Sequence, residues 1–384
     1  MASLSSRERV MRALNHQEPD RIPVDFGGSS NSLIHIQAHQ KLLNHLGLPG
    51  SDARLQSMMT QAVIPDSRPQ KMFGTDVVLI DPGKPDTWQL QIDPVTAQWT
   101  DEWGNRYQMP PGGFYYDWSD YPLKEGSLEE LDRYPWPDPR DPGRYRGMKE
   151  RVQDIYDNTD KAILVNNPFG IWEQAIALRG MENALADLAI NVAYAEALAD
   201  RLLEWQKVYW EEVLGRIGKY IQVVKVNDDL GWKDGPLMSP RIYRRVYKPR
   251  HKALVAFIRE RTDAKIYIHS DGDIYPFLPD FHEIGIDILN PVEVTARDMD
   301  SARLKAEYGD KFSFWGGGCS NVILTLGTPQ DVEAEVRHRI RDFAPGGGFI
   351  FASIHCIQPN VPPENVVALF SAALKWGRYP LVTD

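Results

Sequence analysis

Eight short apolar runs punctuate the chain, at residues 22–26 (IPVDF), 76–80 (DVVLI), 162–166 (AILVN), 221–226 (IQVVKV), 265–269 (KIYIH), 286–290 (IDILN), 312–315 (FSFW) and 349–354 (FIFASI). Most are rich in β-branched or aromatic residues and nearly continuous in apolarity, and each ends in or is followed by Gly, Asn, Asp or His. Strands covered on both faces have this pattern. Between the runs lie stretches of helical periodicity with marked ends. Ser239-Pro240 opens one that continues to about Arg261, Thr328-Pro329 opens another that stops at the glycines 346–348, and Pro362-Pro363 opens a third with Gly377 as a C′ residue. Strand and helix alternating to eight strands predict an α/β fold, a closed parallel (β/α)8 TIM barrel. An open doubly wound sheet is the competitor, and no GxGxxG follows a strand to support it.

Two segments leave that rhythm. One is a helix expected around residues 5–15, ahead of the first strand. The other spans about 82–160 and is rich in Pro, Trp and Tyr; TWQLQIDPVTAQWTDEWGNRYQ within it reads as a small antiparallel meander with turns at Asp93-Pro94 and Gly104-Asn105. Residues 1–384 are therefore expected to form one barrel domain, with the 82–160 insertion covering the barrel mouth or a partner surface.

Composition narrows the class. Among 384 residues, 43 Lys+Arg face 53 Asp+Glu, a net charge of −10, and 42% of residues are hydrophobic. That charge argues against nucleic-acid or anionic-membrane partners, which need clustered cations. The only cysteines, Cys319 and Cys356, cannot form a disulfide framework. The first residues lack an apolar h-region, and no apolar run approaches the ~18 residues of a membrane span. A cytoplasmic protein is expected.

In a barrel of this kind the carboxyl ends of the strands build the active site. There the chain carries Glu173 after the third strand and Asn227, Asp228 and Asp229 after the fourth. His269, Asp271 and Asp273 follow the fifth, and Asn290 and Glu293 the sixth. Cys319 follows three glycines after the seventh, and His355 and Cys356 follow the eighth. Taken singly, a strand-end histidine is more often a hydrogen-bonded structural group, and Asp228 and Asp229 serve equally to cap a helix or hold backbone amides. Convergence favours chemistry, because the bland explanation would have to hold at several strand ends together. His269, Asp271 and His355, with Cys319 or Glu293 as a fourth group, match the nitrogen and oxygen donors of a divalent-metal site. The His-x-Asp spacing alone is not diagnostic.

These residues also carry a family likeness. RERVMRALNHQEPDRIPVDF (7–26), NDDLG-x-x-x-GPLMSPRIYRRVYKPRHK (227–252), IHSDGDIYPFLPDFHEIGIDILNPVE (268–293), YGDKFSFWGGGCS (308–320) and PGGGFIFASIHCIQPNVPPENV (345–366) resemble the uroporphyrinogen decarboxylase superfamily, especially its cobalamin-linked methyltransferase-like branch. The likeness covers the termini and nearly all of the second half, and it implies a (β/α)8 barrel. True decarboxylases of the family carry an arginine-rich segment similar to RQAGRY after the first strand; here residues 26–31 read FGGSSN, without arginine. An octacarboxylate porphyrinogen would lose its main cationic partners. The zinc methyltransferases of the superfamily place His-x-Cys after strand five and Cys after strand eight, positions that here hold His269, Asp271 and His355. Harder groups replace both sulfurs.

The resemblance therefore implies the substrate-side half of a methyl transfer. A small O-methylated compound would give its methyl group to a separate corrinoid protein, which carries the cobalamin. His269 and His355, with Zn2+ or another divalent metal, would polarise the leaving oxygen. Asp228 and Asp229 would orient polar groups or relay protons, and Glu173 and Asn227 would face the substrate. Trp103, Tyr115, Tyr116 and Trp118 of the insertion would stack on an aromatic donor. A lyase decarboxylating a substrate smaller than a porphyrinogen is the alternative, and a non-catalytic ligand-binding barrel the third reading.

Overall fold

The computed structural model describes residues 3–381. Seven strands, Val77–Ile80, Ala162–Val165, Val223–Asn227, Lys265–His269, Ile288–Asn290, Ser313–Trp315 and Phe349–Ile350, pair in chain order as one sheet. Every pairing is parallel. The first apolar run closes the ring. On one side Asp76 N donates to Val24 O at 2.8 Å; on the other Asp25 N donates to Phe351 O at 2.8 Å and Phe351 N to Pro23 O at 2.9 Å. The expected barrel is thus present, but its first strand is reduced to a bridge between Val24 and Phe351. Pro23 has no N–H to give, and Gly27 turns the chain away with φ 85°, so the stave cannot lengthen.

Side chains alternate across the barrel wall with period two. Ile80, Ile163, Val165, Val224, Val226, Ile266 and Ile268 pack outward into the large core shared with the helices. Val77, Leu79, Ala162, Leu164, Val223, Tyr267, Ile288 and Trp315 form a separate interior cluster. The helix Ser6–Leu14, fastened by a capping box between Ser5 and Glu8, adds Val10 and Leu14 to that interior cluster and plugs the amino end. Beside it, Arg9 and Arg21 each reach the fully buried Asp76 at 2.7 Å, and Arg9 also holds Asp20 at 2.7 Å.

The outer helices match the sequence in two places and depart from it in a third. Pro329–Phe343 and Pro363–Trp376 form as expected, the former with a capping box at Thr328. The stretch opened by Ser239 divides at Tyr247 into Pro240–Val246 and Lys248–Arg259, because Pro249 in the second helix cannot continue the first one's hydrogen-bond ladder. In the 82–160 segment, Gln98–Thr100, Arg106–Gln108 and Asp117–Asp120 form an antiparallel sheet with turns at the two expected sites; its third strand lies beyond the quoted meander. A further antiparallel sheet of Ile34–His35, Arg54–Ser57 and Ala62–Ile64 follows the first stave and was not foreseen. No helix among the described residues is long and apolar enough to cross a membrane.

Candidate active site

Inward-facing positions change character along each stave. Apolar at the amino end, they turn polar at the carboxyl end: Leu79 gives way to Asp81, Leu164 to Asn166, Val223 to Lys225 and Asn227, Tyr267 to His269, and Ile288 to Asn290. The same alternation that fills the barrel therefore delivers a polar layer to its mouth.

His269 and His355 meet there, ring centroids 5.5 Å apart. The Asn31 amide nitrogen lies 3.1 Å from the Nε2 of each. The loop that carries Asn31 is shaped by the buried Asp25, whose carboxylate accepts from Gly28 N at 2.6 Å, Ser32 Oγ at 2.8 Å and Trp315 Nε1 at 2.8 Å. A side chain at Gly28 would put its Cβ 2.6 Å from that of Val77, so only glycine fits. On its other nitrogen, His269 Nδ1 lies 2.7 Å from Asn290 Oδ1, and the Asn290 amide N–H donates to Trp315 O at 2.8 Å. That second bond fixes the amide with its oxygen toward His269. The proton therefore sits on Nδ1, and the Nε2 lone pair faces the mouth.

Asp271 Oδ2 stands 3.9 Å from both Nε2 atoms, and Asp271 Oδ1 is buried without a partner among the described residues. One donor atom from each of His269, Asp271 and His355 lies within 4.8 Å of the others, a spacing at which one ion can be held. An oriented imidazole, a second imidazole and a carboxylate with an orphaned oxygen fit a divalent metal. Around them Asp229 Oδ1 comes within 3.7 Å of His269 Nε2 and accepts from Asp271 N at 3.0 Å. Glu173 takes the Asn227 amide, and Lys225 Nζ reaches Ser30 Oγ at 2.6 Å.

The electrostatics follow from crowding out of water. Burial, aided by Lys225 and His355 and opposed by Asp271, pulls His269 down to about 3. Burial also works against a charged His355, but Asp271 foremost outweighs it and raises that imidazole to about 10. Burial and then Asp271 push Asp229 up to about 6. Burial, Asp229 and Asp228 hold Glu173 well above the usual carboxyl range, while burial lowers Lys225 to about 8 against the pull of Glu173 and Asp81. The carboxyls outnumber the cations here, an imbalance that a bound cation would relieve.

Several expected residues stand outside that three-residue group. Cys319 is fully buried in the outer core, its thiol donates to Ser320 O, and burial pushes it up to about 12; the glycine turn carries it off the barrel axis and away from the histidines. Asp228 stands behind the mouth: it accepts Glu173 N at 3.0 Å and meets His251 Nε2 at 2.6 Å, with His251 Nδ1 3.2 Å from the Tyr243 hydroxyl. It is thus an amide-holding, positioning residue. Glu293, engaged by Thr295 Oγ1 at 2.9 Å, is not in the three-residue group. Trp103 packs on Trp136, Phe169 and Trp205, and Tyr116 on Trp99 in a small core of the insertion. Trp118 is exposed, and Tyr115 alone of the four reaches the eighth-stave loop, bonding to Gln358. The sequence reading missed Asn31, Lys225 and the orienting role of Asn290; the inward register of a polar residue within an apolar run was the signal for Lys225 and Asn290, and Asn31 had none.

Fold and site together define a (β/α)8 barrel enzyme with a histidine–carboxylate cluster capable of holding a metal at the carboxyl end of its staves. The model of the uroporphyrinogen decarboxylase (URO-D) family matches residues 120–376, and the chain belongs to that family. It is 27% identical over 143 residues to a uroporphyrinogen decarboxylase of Pseudoalteromonas translucida (strain TAC 125), a match spanning 36% of this chain and 38% of that protein's length. A methyltransferase from Methanosarcina mazei shares the fold over 97% of this chain and 99% of its own, with a TM-score of 0.64 at 18% identity.

Proposed function

We propose that the protein is a cytoplasmic methyltransferase that takes the methyl group of a small O-methylated substrate and passes it to a corrinoid protein. The observation that carries this reading is the meeting of His269, Asp271 and His355 around one point at the mouth. These three side chains would hold a divalent metal, zinc among the candidates. Bound there, the ion supplies Lewis acidity toward an ether oxygen, and the partner's reduced cobalt supplies the nucleophile. The remaining work falls to the chain itself. Asn290 keeps the His269 proton on Nδ1. Asp229 anchors the backbone of Asp271 through its N–H. Glu173, held protonated by its buried and anionic surroundings, is the group that returns a proton to the departing alkoxide oxygen. The carbon–oxygen electron pair stays on that oxygen as the methyl group leaves, so one proton balances the step. The first-stave loop bears Asn31 where a porphyrinogen decarboxylase of the family carries arginines, which favours this reading over decarboxylation.

The test is to incubate metal-assayed protein with a reduced corrinoid protein and a panel of methoxylated compounds, following cobalt methylation by absorbance. Methylation that disappears in His269→Ala, together with stoichiometric metal in the native protein alone, is the expected result. Carbon dioxide release from a small acid with no cobalt methylation across the panel would replace this reading with the lyase.

A further inference from the structure

Beside the mouth, between the ends of the second and third staves and the long helix Val192–Ile217, lies a cavity of about 450 Å³. Its wall is aromatic. The rings of Trp103, Phe169 and Trp205 meet with centroids 5.0, 5.1 and 5.2 Å apart, and Tyr209 stacks on Trp205 at 5.7 Å. Its rim is cationic. Arg54, Lys84 and Arg151 line it, all three exposed, and none has a carboxylate partner among the described residues. Arg151 gives a hydrogen bond only to a main-chain oxygen, that of Asp81, at 3.0 Å. Arg144, also in the wall, is neutralised by Glu102. Two polar groups of the wall, the Tyr209 hydroxyl and the Asn167 amide nitrogen, are buried without partners among the described residues. The wall also carries the Asp81 carboxyl, which feels the charge of Lys84; four cations against two carboxyls still reverse the local sign on a chain of net charge −10.

We infer that this cavity binds a small aromatic carboxylate, its ring against Trp103, Phe169 and Trp205 and its acid group at Arg54, Lys84 and Arg151. The tilted and edge-on rings of the wall offer aromatic packing that an aliphatic ligand would not use, and the guanidinium groups offer charge-assisted, bidentate hydrogen bonds to a carboxylate. The volume lies within the range of small-molecule sites. The cavity also reaches the chemistry. Asn166 lines it, accepts from Ser30 Oγ at 3.0 Å, and so adjoins Lys225 and the loop that carries Asn31. Resting on the proposed function, the ligand is the methyl donor itself, an arene with a methoxy group toward the metal-competent cluster and an acid group toward the rim.

The experiment titrates the full chain with 4-methoxybenzoate and with its neutral isostere 4-methoxybenzamide, following tryptophan fluorescence and heat. The acid is expected to bind saturably and about tenfold or more tighter than the amide, the difference a charge-assisted contact supplies. Arg54→Gln combined with Lys84→Gln should erase that preference and leave melting temperature and metal content unchanged. Equal affinity for acid and amide, or no saturable binding of either, overturns the inference. Binding is read without corrinoid or turnover and repeated in His269→Ala. Acid binding without methyl transfer would thus refute only the methyltransferase reading, whereas methyl transfer from neutral ethers with no preference for acids would refute only this one.

Discussion

At the amino end of the barrel, the fully buried Asp76 receives two guanidinium groups and the Val24 N–H, and Asp20 shares one of those guanidiniums. At the carboxyl end, Glu173, Asp229 and Asp271 crowd around two imidazoles and a lysine that burial has lowered to about 8. One fold thus buries charge in two ways. The amino end compensates each charge at once and fastens the plug helix to the barrel. The carboxyl end leaves lone pairs and carboxylate oxygens pointing at a shared space, a condition that costs stability until something positive arrives. Charges answered within the chain mark structure, and charges left over mark the site.

This contrast can be broken in several places. The largest effect is expected from His269→Ala: complete loss of stoichiometric metal and of methyl transfer, with little change in melting temperature, read by elemental analysis and calorimetry. Metal retained by that variant would erase the distinction between the ends. Asp76→Ala should do the reverse. It strands Arg9 and Arg21 without their shared carboxylate, and denaturant unfolding should show a loss of about 3–5 kcal/mol while any folded fraction still binds metal. Asn290→Ala frees the His269 ring, and competition with a chelator should show metal affinity reduced about 10–100-fold. Acid gives a graded version. Burial resists ionisation of Asp20, but the Arg9 guanidinium overcomes it and holds the carboxyl at about 2, below its ordinary 3.8. The stability this group contributes is complete above that ordinary value and is lost as pH falls from there through about 2. An Asp20→Asn variant should therefore show a flatter stability profile over that interval. The smallest effect is expected from Ser5→Ala, which removes the cap of the plug helix and should cost about 1 kcal/mol without touching the mouth.

Much of this was legible in the chain. All eight apolar runs became staves, because their shortness and their β-branched and aromatic content mark strands covered on both faces rather than buried helix segments. His269, Asp271 and His355 were legible because a barrel brings strand ends together whatever lies between them. Lys225 was harder to see: within IQVVKV it looks like an interruption, and only its inward register, two residues before Asn227, gives it away. Asn31 left no periodic trace, since a loop organised by Asp25 places it. Cys319 misled because chain position after a strand does not say whether a glycine turn continues inward or outward. Tyr116 misled because aromatic content reports packing and binding alike, and this ring does the former in the small core of the insertion.

The ring of staves is sealed by residues far apart in sequence, with Asp25 meeting Trp315 across 290 positions and Asn31 meeting His355 across 324. A nascent chain cannot assemble the two-histidine cluster before His355 has left the ribosome, 324 positions after the Asn31 that it meets. Closure joins partners of very high sequence separation, so it belongs late in folding. Competence for chemistry is in this way withheld until the eighth stave and its loop have been made.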